Sequence, residues 1–502
     1  MRLQSLAAAT ALTLFLTACA SSAGLHPDAT LINPGNLHAQ RTLAAAKVSA
    51  AAWPSADWWS ALADPQLDHL IAEALHDNPG LAVADARARA AQAVAGQGDA
   101  ARAPSVNGSA SVSGARIPTT VLPDAGHFSI VEYGYVSFKW GVDLWGGKRA
   151  AWQAALGAAR AAEVDARAAR VALSGNVARA YAQLGYAFTR QDLGQAELQR
   201  ASAARELTRQ RVAAGIDNQI QLRQGDTEVA NAEQNLALAK RAVEAARSSL
   251  SVLLGKGPDR GLQIRRPRAL QPAAVAVPDT LPLDLLGHRA DLVAARWQVE
   301  ASAQNITAAK TAFLPNISLG AMAGVIGMGG GNPLSLPARF YQLGPSLSLP
   351  IFDGGRLRAT LAARDAQYDL AVAQYNQTLV DALNQVADEL SALRSLEVQV
   401  AAQHRAQAAA SAAWQLAEQR YRGGIGSYLE SLSVREQLLA AERGTAALQA
   451  QQVDVSLQLI QALGGGYQPR ADNKADGNLP DASARVRLPA PSTTPSSTPS
   501  SP

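Results

Sequence analysis

The chain holds one cysteine, Cys19, and seven histidines. A single thiol can act as a nucleophile or accept a covalent group, but it cannot close an internal disulfide. Cys19 follows Leu16-Thr17-Ala18 at the end of an apolar run, Leu6 to Leu16, that starts after the positive Arg2 and is too short to span a bilayer. Small residues ahead of a thiol suit a peptidase that cuts just before a modified cysteine. The histidines, at 26, 38, 69, 76, 127, 288 and 404, show no HExxH or other metal-ligand spacing. His69 and His76 lie seven apart on one expected helix, as exposed polar positions. The sequence has no G-x-S-x-G, no P-loop and no G-x-G-x-x-G that opens a helix. Gly329-Gly330-Gly331 falls between expected strands, where it cannot cradle a phosphate against a helix N-terminus. These patterns predict a protein that is not an enzyme and holds no metal.

Leu16-Thr17-Ala18-Cys19 resembles a bacterial lipobox, Leu-x-Ala/Gly-Cys. The resemblance implies that residues 1–18 are a lipoprotein signal peptide. Cys19 would then take a diacylglyceryl group, and the amine freed by cleavage would be acylated. Several acyl chains on one residue anchor stably where a single chain is marginal. An Asp directly after such a cysteine resembles an inner-membrane retention signal; Ala20 stands there instead, which favours the outer membrane. No later run of 18 or more apolar residues exists, so no membrane-spanning helix is expected. Covalent lipid on Cys19 is the only cofactor-like group implied.

The elements behind such an anchor must be mainly helical. Hydrophobic residues make up 48% of the chain but aromatics only 5%, and much of the apolar share is alanine, the best helix former and a small one to bury. Long, closely packed helices fit that composition better than one thick core. A net charge of +4 over 502 residues is small, so a pI of about 9.2 does not point to nucleic acid. Arg265, Arg266 and Arg268 are the one basic cluster, and their Pro-rich surroundings read as a solvated connector.

The chain is written twice. Asp143-Leu-Trp-Gly-Gly-Lys-Arg-Ala is echoed by Ile351-Phe-Asp-Gly-Gly-Arg-Leu-Arg-Ala, and Gln210-Arg-Val-Ala-Ala-Gly-Ile by Gln419-Arg-Tyr-Arg-Gly-Gly-Ile. Three further pairs keep the offset between 208 and 211 residues. Each half predicts one amphipathic helix (about 65–103 and 283–313), a β-hairpin (104–145 and 315–352) and a long helical hairpin. The hairpin tips fall near Gly215 and Gly424, where glycine suits the left-handed position that ends a helix. The expected divisions are therefore an N-terminal segment 19–63, a first repeat 64–256, a Pro-rich connector 257–282, a second repeat 283–466 and a disordered Pro/Ser/Thr tail 467–502.

Strand and helix are fused in each half. In VSFKWGVDL, Val136, Phe138, Trp140, Val142 and Leu144 share one face, a period of two, and the helix begins directly after Gly146-Gly147. On the returning helix, Leu222, Val229, Leu236, Val243 and Leu250 recur every seven residues, with Ala232, Ala239 and Ala246 three further on, a left-handed coiled-coil pattern. Leu432, Leu439, Ala446, Val453 and Ile460 keep the interval in the second half. Aromatics cluster near strand ends: Tyr133, Tyr135, Trp140 and Trp145, then Phe340, Tyr341 and Phe352. Four strands cannot close a barrel, and lipid tolerates no open sheet edge, so a membrane barrel would need several chains.

With Trp58-Trp59, Asp64-Pro65-x-Leu67, Leu281 to Leu292, Pro345 to Gly355 and Arg420-Tyr-Arg-x-Gly-x-Gly-Ser-Tyr-Leu429 in place, the chain resembles the TolC-like outer-membrane efflux lipoproteins of the OprM/NodT type over residues 19–466. The resemblance implies a mainly α protein with a membrane β-barrel: a homotrimer in which four strands per protomer make a twelve-stranded barrel and the long helices a periplasmic α-barrel. It implies passive export of small toxic compounds, drugs and aromatic acids among them, loaded by an inner-membrane pump through a periplasmic adaptor. It places the protein in the bacterial outer membrane, in contact with its lipid and with no nucleic acid. The family closes its periplasmic aperture at the helix tips, often with acidic rings. Asp217 and Glu430 are the nearest acids here and the candidate aperture residues, while Ser433 stands where the family commonly has Asp. Two other readings remain open: the outer-membrane channel of a type I protein secretion system, and a lipid-anchored periplasmic scaffold without a pore.

Overall fold

A computed structural model describes residues 21–37, 53–116, 118–120, 126–272, 281–328 and 334–468. Cys19 and its signal peptide, Gly329 to Gly331, residues 273–280 of the connector and residues 469–502 of the tail lie outside the described residues. In chain order the elements are α1 (Pro65–Asp77), α2 (Pro79–Ala100), β1 (Ser105–Arg116), β2 (Phe128–Val142), α3 (Gly147–Ala213), α4 (Gln219–Leu253), α5 (Asp259–Leu262), α6 (Leu281–His288), α7 (Ala290–Thr311), β3 (Asn316–Met328), β4 (Arg339–Ser348), α8 (Arg356–Arg422) and α9 (Tyr428–Ala462).

The helix that the sequence suggests over about 65–103 is two helices. Asp64 caps α1, its Oδ1 accepting from the backbone N–H of Gln66 at 2.9 Å and Leu67 at 3.3 Å. Pro79 then offers no N–H and pushes Asn78 to an extended backbone (φ −69°, ψ 119°), so α1 stops there and α2 starts. The matching stretch 283–313 also breaks, at Arg289, and its first helix begins at Leu281, inside the expected connector. No proline causes this break. Arg289 is held extended while its guanidinium donates to the Ala462 carbonyl at 2.9 Å and pairs with Asp291 at 2.6 Å.

The long helices α3 and α8 each run for 67 residues, ~100 Å at 1.5 Å per residue. Helix α3 returns as α4 and α8 as α9, and α2 and α7 pack beside the upper part of α3. The heptad seam of α4 is buried at Ala232, Leu236, Ala239, Val243 and Leu250 and half-buried at Leu222 and Val229. The thickest cores lie where the shorter helices flank the shafts. One joins Leu67, Leu70, Ile71, Tyr181 and Leu184 to Leu457 and Ile460; another joins Leu292, Leu361, Val372 and Leu379.

Two expectations about the linking segments change. The connector is docked, not merely solvated: Ile264 is buried, the backbone of Arg265 donates to Gln66, and Arg266 pairs with Asp192. The ordered fold also extends past 466, because Tyr467 is buried beside Val164, Ala290 and Val293.

One antiparallel sheet, ordered β1-β2-β3-β4, combines the two hairpins. Its register sets Val136 opposite Gly108 on β1 and Ala323 on β3, and Ala323 opposite Tyr341 on β4. In the protomer β1 and β4 each keep one free edge.

Candidate functional site

The sheet has two chemically distinct faces. Val106, Val112, Ile130, Val136, Leu343 and Leu347 lie on one face and are all exposed. The other face carries Ser105, Asn107, Ser109, Ser111 and Ser113 of β1. An apolar face bared to the outside, a polar face behind it and unpaired edges describe a segment of a membrane barrel wall.

The passage from wall to shaft is built by an aspartate and glycines in each repeat. Asp143 accepts from the backbone N–H of Lys148 at 3.0 Å and Arg149 at 2.8 Å, and Asp353 does the same for Gly355 at 3.1 Å and Leu357 at 2.9 Å. These carboxylates satisfy the first free donors of α3 and α8 and favour the positive helix end. Gly146 (φ 75°) and Gly355 (φ 88°) supply the left-handed turn that a side chain would strain. Each strand thus becomes a shaft through a short link, residues 143–146 in the first repeat and 349–355 in the second.

At the far end the two hairpins turn at Gly215 (φ 72°) and Gly424 (φ 76°). In each, the glycine lets the next N–H reach back to the helix: Ile216 to the Arg211 carbonyl at 2.9 Å, and Ile425 to the Arg420 carbonyl at 3.0 Å. The two candidate acids have different surroundings. The Asp217 side chain is only 6% exposed and is paired with Arg211 at 2.8 Å. The Tyr421 hydroxyl, from the other repeat, donates to Asp217 at 2.7 Å. Arg211 also donates to the Tyr421 carbonyl at 3.0 Å and lies over its ring at 4.6 Å, while Thr208 Oγ1 sits 3.0 Å from the Tyr421 hydroxyl. Burial works against the Asp217 charge, but the hydrogen bonds from Arg211 and Tyr421 outweigh it and hold the carboxyl below the usual aspartate range. Burial, reinforced by the Asp217 carboxylate, pushes the Tyr421 phenol up to about 12. Glu430 stands in the first turn of α9, 47% exposed and 3.8 Å from Arg420. Its backbone N–H donates to the Ser427 cap at 3.1 Å.

A second tie between repeats lies further up the shafts. Arg435 on α9 is buried between Glu197 of α3 at 3.3 Å and Glu228 of α4 at 2.8 Å. Arg200 of α3 reaches Glu442 of α9 at 2.7 Å. Burial raises the Glu197 pKa, partly offset by Arg435 and Arg200. A cavity of about 360 Å³ separates this cluster from the tip, lined by Arg200, Leu207, Trp414, Tyr421, Tyr428 and Arg435. Sequence reasoning named Asp217 and Glu430 but none of their partners, nor this cluster. The available signal was asymmetry. With Gly215 aligned on Gly424, Tyr421 replaces Val212 and Asp217 replaces Gly426.

The N-terminal strap follows α8 away from the sheet. Arg358, in the first turns of α8, donates to the carbonyls of Ser21 at 2.6 Å and Ala23 at 3.2 Å. Asp369 accepts from the N–H of Asp28 and Ala29 at 3.0 and 2.8 Å, and Asn376 from that of Ile32 at 2.9 Å.

A barrel-wall sheet fused to paired shafts defines an outer-membrane channel protomer. The family model described as "Outer membrane efflux protein" matches residues 70–256 and again 281–465. The chain is 37% identical to the fusaric acid resistance protein FusA of Burkholderia cepacia over 364 residues, 71% of this chain and 68% of FusA. It is 30% identical to the multidrug resistance outer membrane protein MdtP of Escherichia coli K12 over 84% of this chain and 88% of MdtP. The crystal structure of the outer membrane protein VceC from Vibrio cholerae superposes with a TM-score of 0.77 at 34% identity, covering 83% of this chain and all of VceC. The chain belongs to the outer membrane efflux protein family: it is an efflux channel component of the bacterial outer membrane, with its helical part in the periplasm.

Proposed function

We propose that three copies of this chain form one export duct, anchored by lipid on Cys19, through which small toxic compounds leave the cell passively. Each protomer contributes four strands to a twelve-stranded barrel and two helical hairpins to a periplasmic tube. The observation that carries this reading is the sheet itself: four strands with an apolar outer face and two free edges, β1 and β4, which lipid does not tolerate unless other copies pair with them. An inner-membrane pump loads the duct through a periplasmic adaptor. The chain performs no catalysis and needs no cofactor. The Arg211–Asp217–Tyr421 contact holds the first tip against the second hairpin and keeps the aperture shut at rest, with Glu430 at its rim. The strap supports the anchor, because Ser21 is held at the top of α8, directly below the end of β4.

Electron microscopy of the detergent-extracted protein tests this. Three-fold cylinders with a stem of ~100 Å are expected. Compact particles, or rods without a barrel end, would overturn it. Mass spectrometry of the mature N-terminus tests the anchor, which falls if Cys19 carries no acyl chains.

A further inference from the structure

We propose that the polar, lumenal face of each protomer's sheet carries a binding shelf for planar aromatic anions, built from Tyr133, Tyr135, Phe340 and Met322, with Lys139 supplying the attracting charge. This rests on the trimeric-duct reading above and names a substrate class for it.

The shelf follows from register. Tyr133, Tyr135 and Lys139 of β2 share the face of the β1 serine row, and through the ladder so do Met322 and Gly324 of β3 and Phe340 of β4. Tyr135, Gly324 and Phe340 stand opposite one another across three strands. Gly324 has no side chain, and a Cβ there would meet the Tyr135 Cβ at 2.6 Å. The Tyr133 ring therefore crosses the bare position and lies parallel to Phe340, with centroids 5.4 Å apart and planes 5° off. Tyr135 tilts against Tyr133 at 4.9 Å. The Tyr133 hydroxyl reaches the Met322 sulfur at 3.5 Å. Aromatic pairs at these separations are favourable, and a thioether beside a ring adds to them.

Sheet stability alone does not call for this placement. The rings sit with Val131, Ile326 and Met328 on a face that is otherwise mostly serine, asparagine and glycine, and all three are partly open rather than buried in a core. A flat apolar wall in a wet pore offers a permeant a surface on which to exchange water for stacking. Lys139 is the one charged side chain among the described strand residues of this face, and it is exposed. Arg116, Glu132 and Arg339 fall on the opposite face. With the Lys148 ammonium, which donates to the Gly141 carbonyl at 3.0 Å and lies where a Cβ of Gly141 would point, the described part of this wall is cationic and favours anions over cations by its field. The neighbouring serines donate hydrogen bonds to a carboxylate or sulfonate.

The test uses full-length trimer in lipid nanodiscs, checked by electron microscopy, with 2-naphthalenesulfonate as probe. Saturation-transfer NMR should show it binding above empty nanodiscs, and cyclohexanesulfonate should not. Tyr133→Ser and Phe340→Ser should each weaken binding about 2- to 12-fold, the span that one aromatic pair supplies, while Tyr133→Phe should retain it. Lys139→Gln should weaken the sulfonate but not neutral 2-naphthol. Equal binding to wild type and Tyr133→Ser in three-fold particles would overturn the shelf and leave the duct standing. An unchanged sulfonate affinity in Lys139→Gln would overturn its anion preference. Particles without a three-fold barrel would overturn the duct, and the shelf with it.

Discussion

The two helical tips share one local design and differ in what holds them. Both turn on a glycine of positive φ, both send the next N–H back to an arginine carbonyl, and both start the returning helix on a capping side chain, Asn218 or Ser427. Gln221 and Glu430 occupy the same third helical position after the cap. The difference lies in two substitutions between repeats. The first tip gained a carboxylate, Asp217, and the second hairpin gained a phenol, Tyr421, and the two meet at 2.7 Å. The two turns are alike in backbone, while side chains tie one of them to the other hairpin and leave the other solvated. An acid at a tip is therefore not one kind of residue: Asp217 is a buried fastening, Glu430 an exposed helix start.

The largest effect that this contrast predicts lies on the shafts. Arg435→Ala leaves the buried Glu197 with only Arg200, at 3.6 Å, and should cost roughly 3 kcal/mol, the lower end for removing one partner of a buried pair. Thermal unfolding of the detergent-solubilised protein should shift down clearly, and an unchanged midpoint would contradict the tie. Asp217→Ala comes next, at about 3 kcal/mol of local stability. Hydrogen exchange should speed up in residues 208–221, and bilayer conductance should rise. Acidification should act on the same contact without mutation. Asp217 has a depressed folded pKa, so the fastening is at full strength above the ordinary aspartate value near ~4 and is lost as pH falls through the lower folded value. Conductance should therefore stay flat from neutral pH down to ~4 and rise only below it; a rise centred near pH 6 would implicate another group. Tyr421→Phe removes a single hydrogen bond and should cost about 1 kcal/mol, visible as faster exchange at the tip with no change in the unfolding midpoint. Glu430→Ala should change stability by less than about 0.5 kcal/mol, because its arginine partner is 3.8 Å away and both are solvated. If Glu430→Ala loosened the tips as much as Asp217→Ala, the asymmetry would have no functional content.

Much of the architecture was legible because its signals are local. A period of two over Val136 to Leu144 and a heptad over Leu222 to Leu250 depend only on neighbours along the chain. Helix α3 begins within the Gly146-Gly147 pair and stops just before the Gly215 turn, because glycine takes φ near 75° without strain. Harder to read were the breaks at Asn78 and Arg289. Pro79 announced the first, but Arg289 is held by a carbonyl from Ala462, more than 170 residues away. Docking of Arg266 on Asp192 and burial of Tyr467 are likewise contacts between distant segments, and a Pro-rich composition hides them.

By itself the sequence determined the elements, their duplication and their order, because hydrogen-bonded periodicity, caps and turn glycines are chosen within a few residues. Only the tertiary structure decided which charged residues are buried. Arg435 and Glu197 look like solvated helix positions in sequence. They become fastenings because the small alanine seams let α3, α4 and α9 approach closely and exclude water between them. The same holds for the sheet: alternation divided its faces, but the register of β2, β3 and β4 brought Tyr133 onto Phe340 across Gly324.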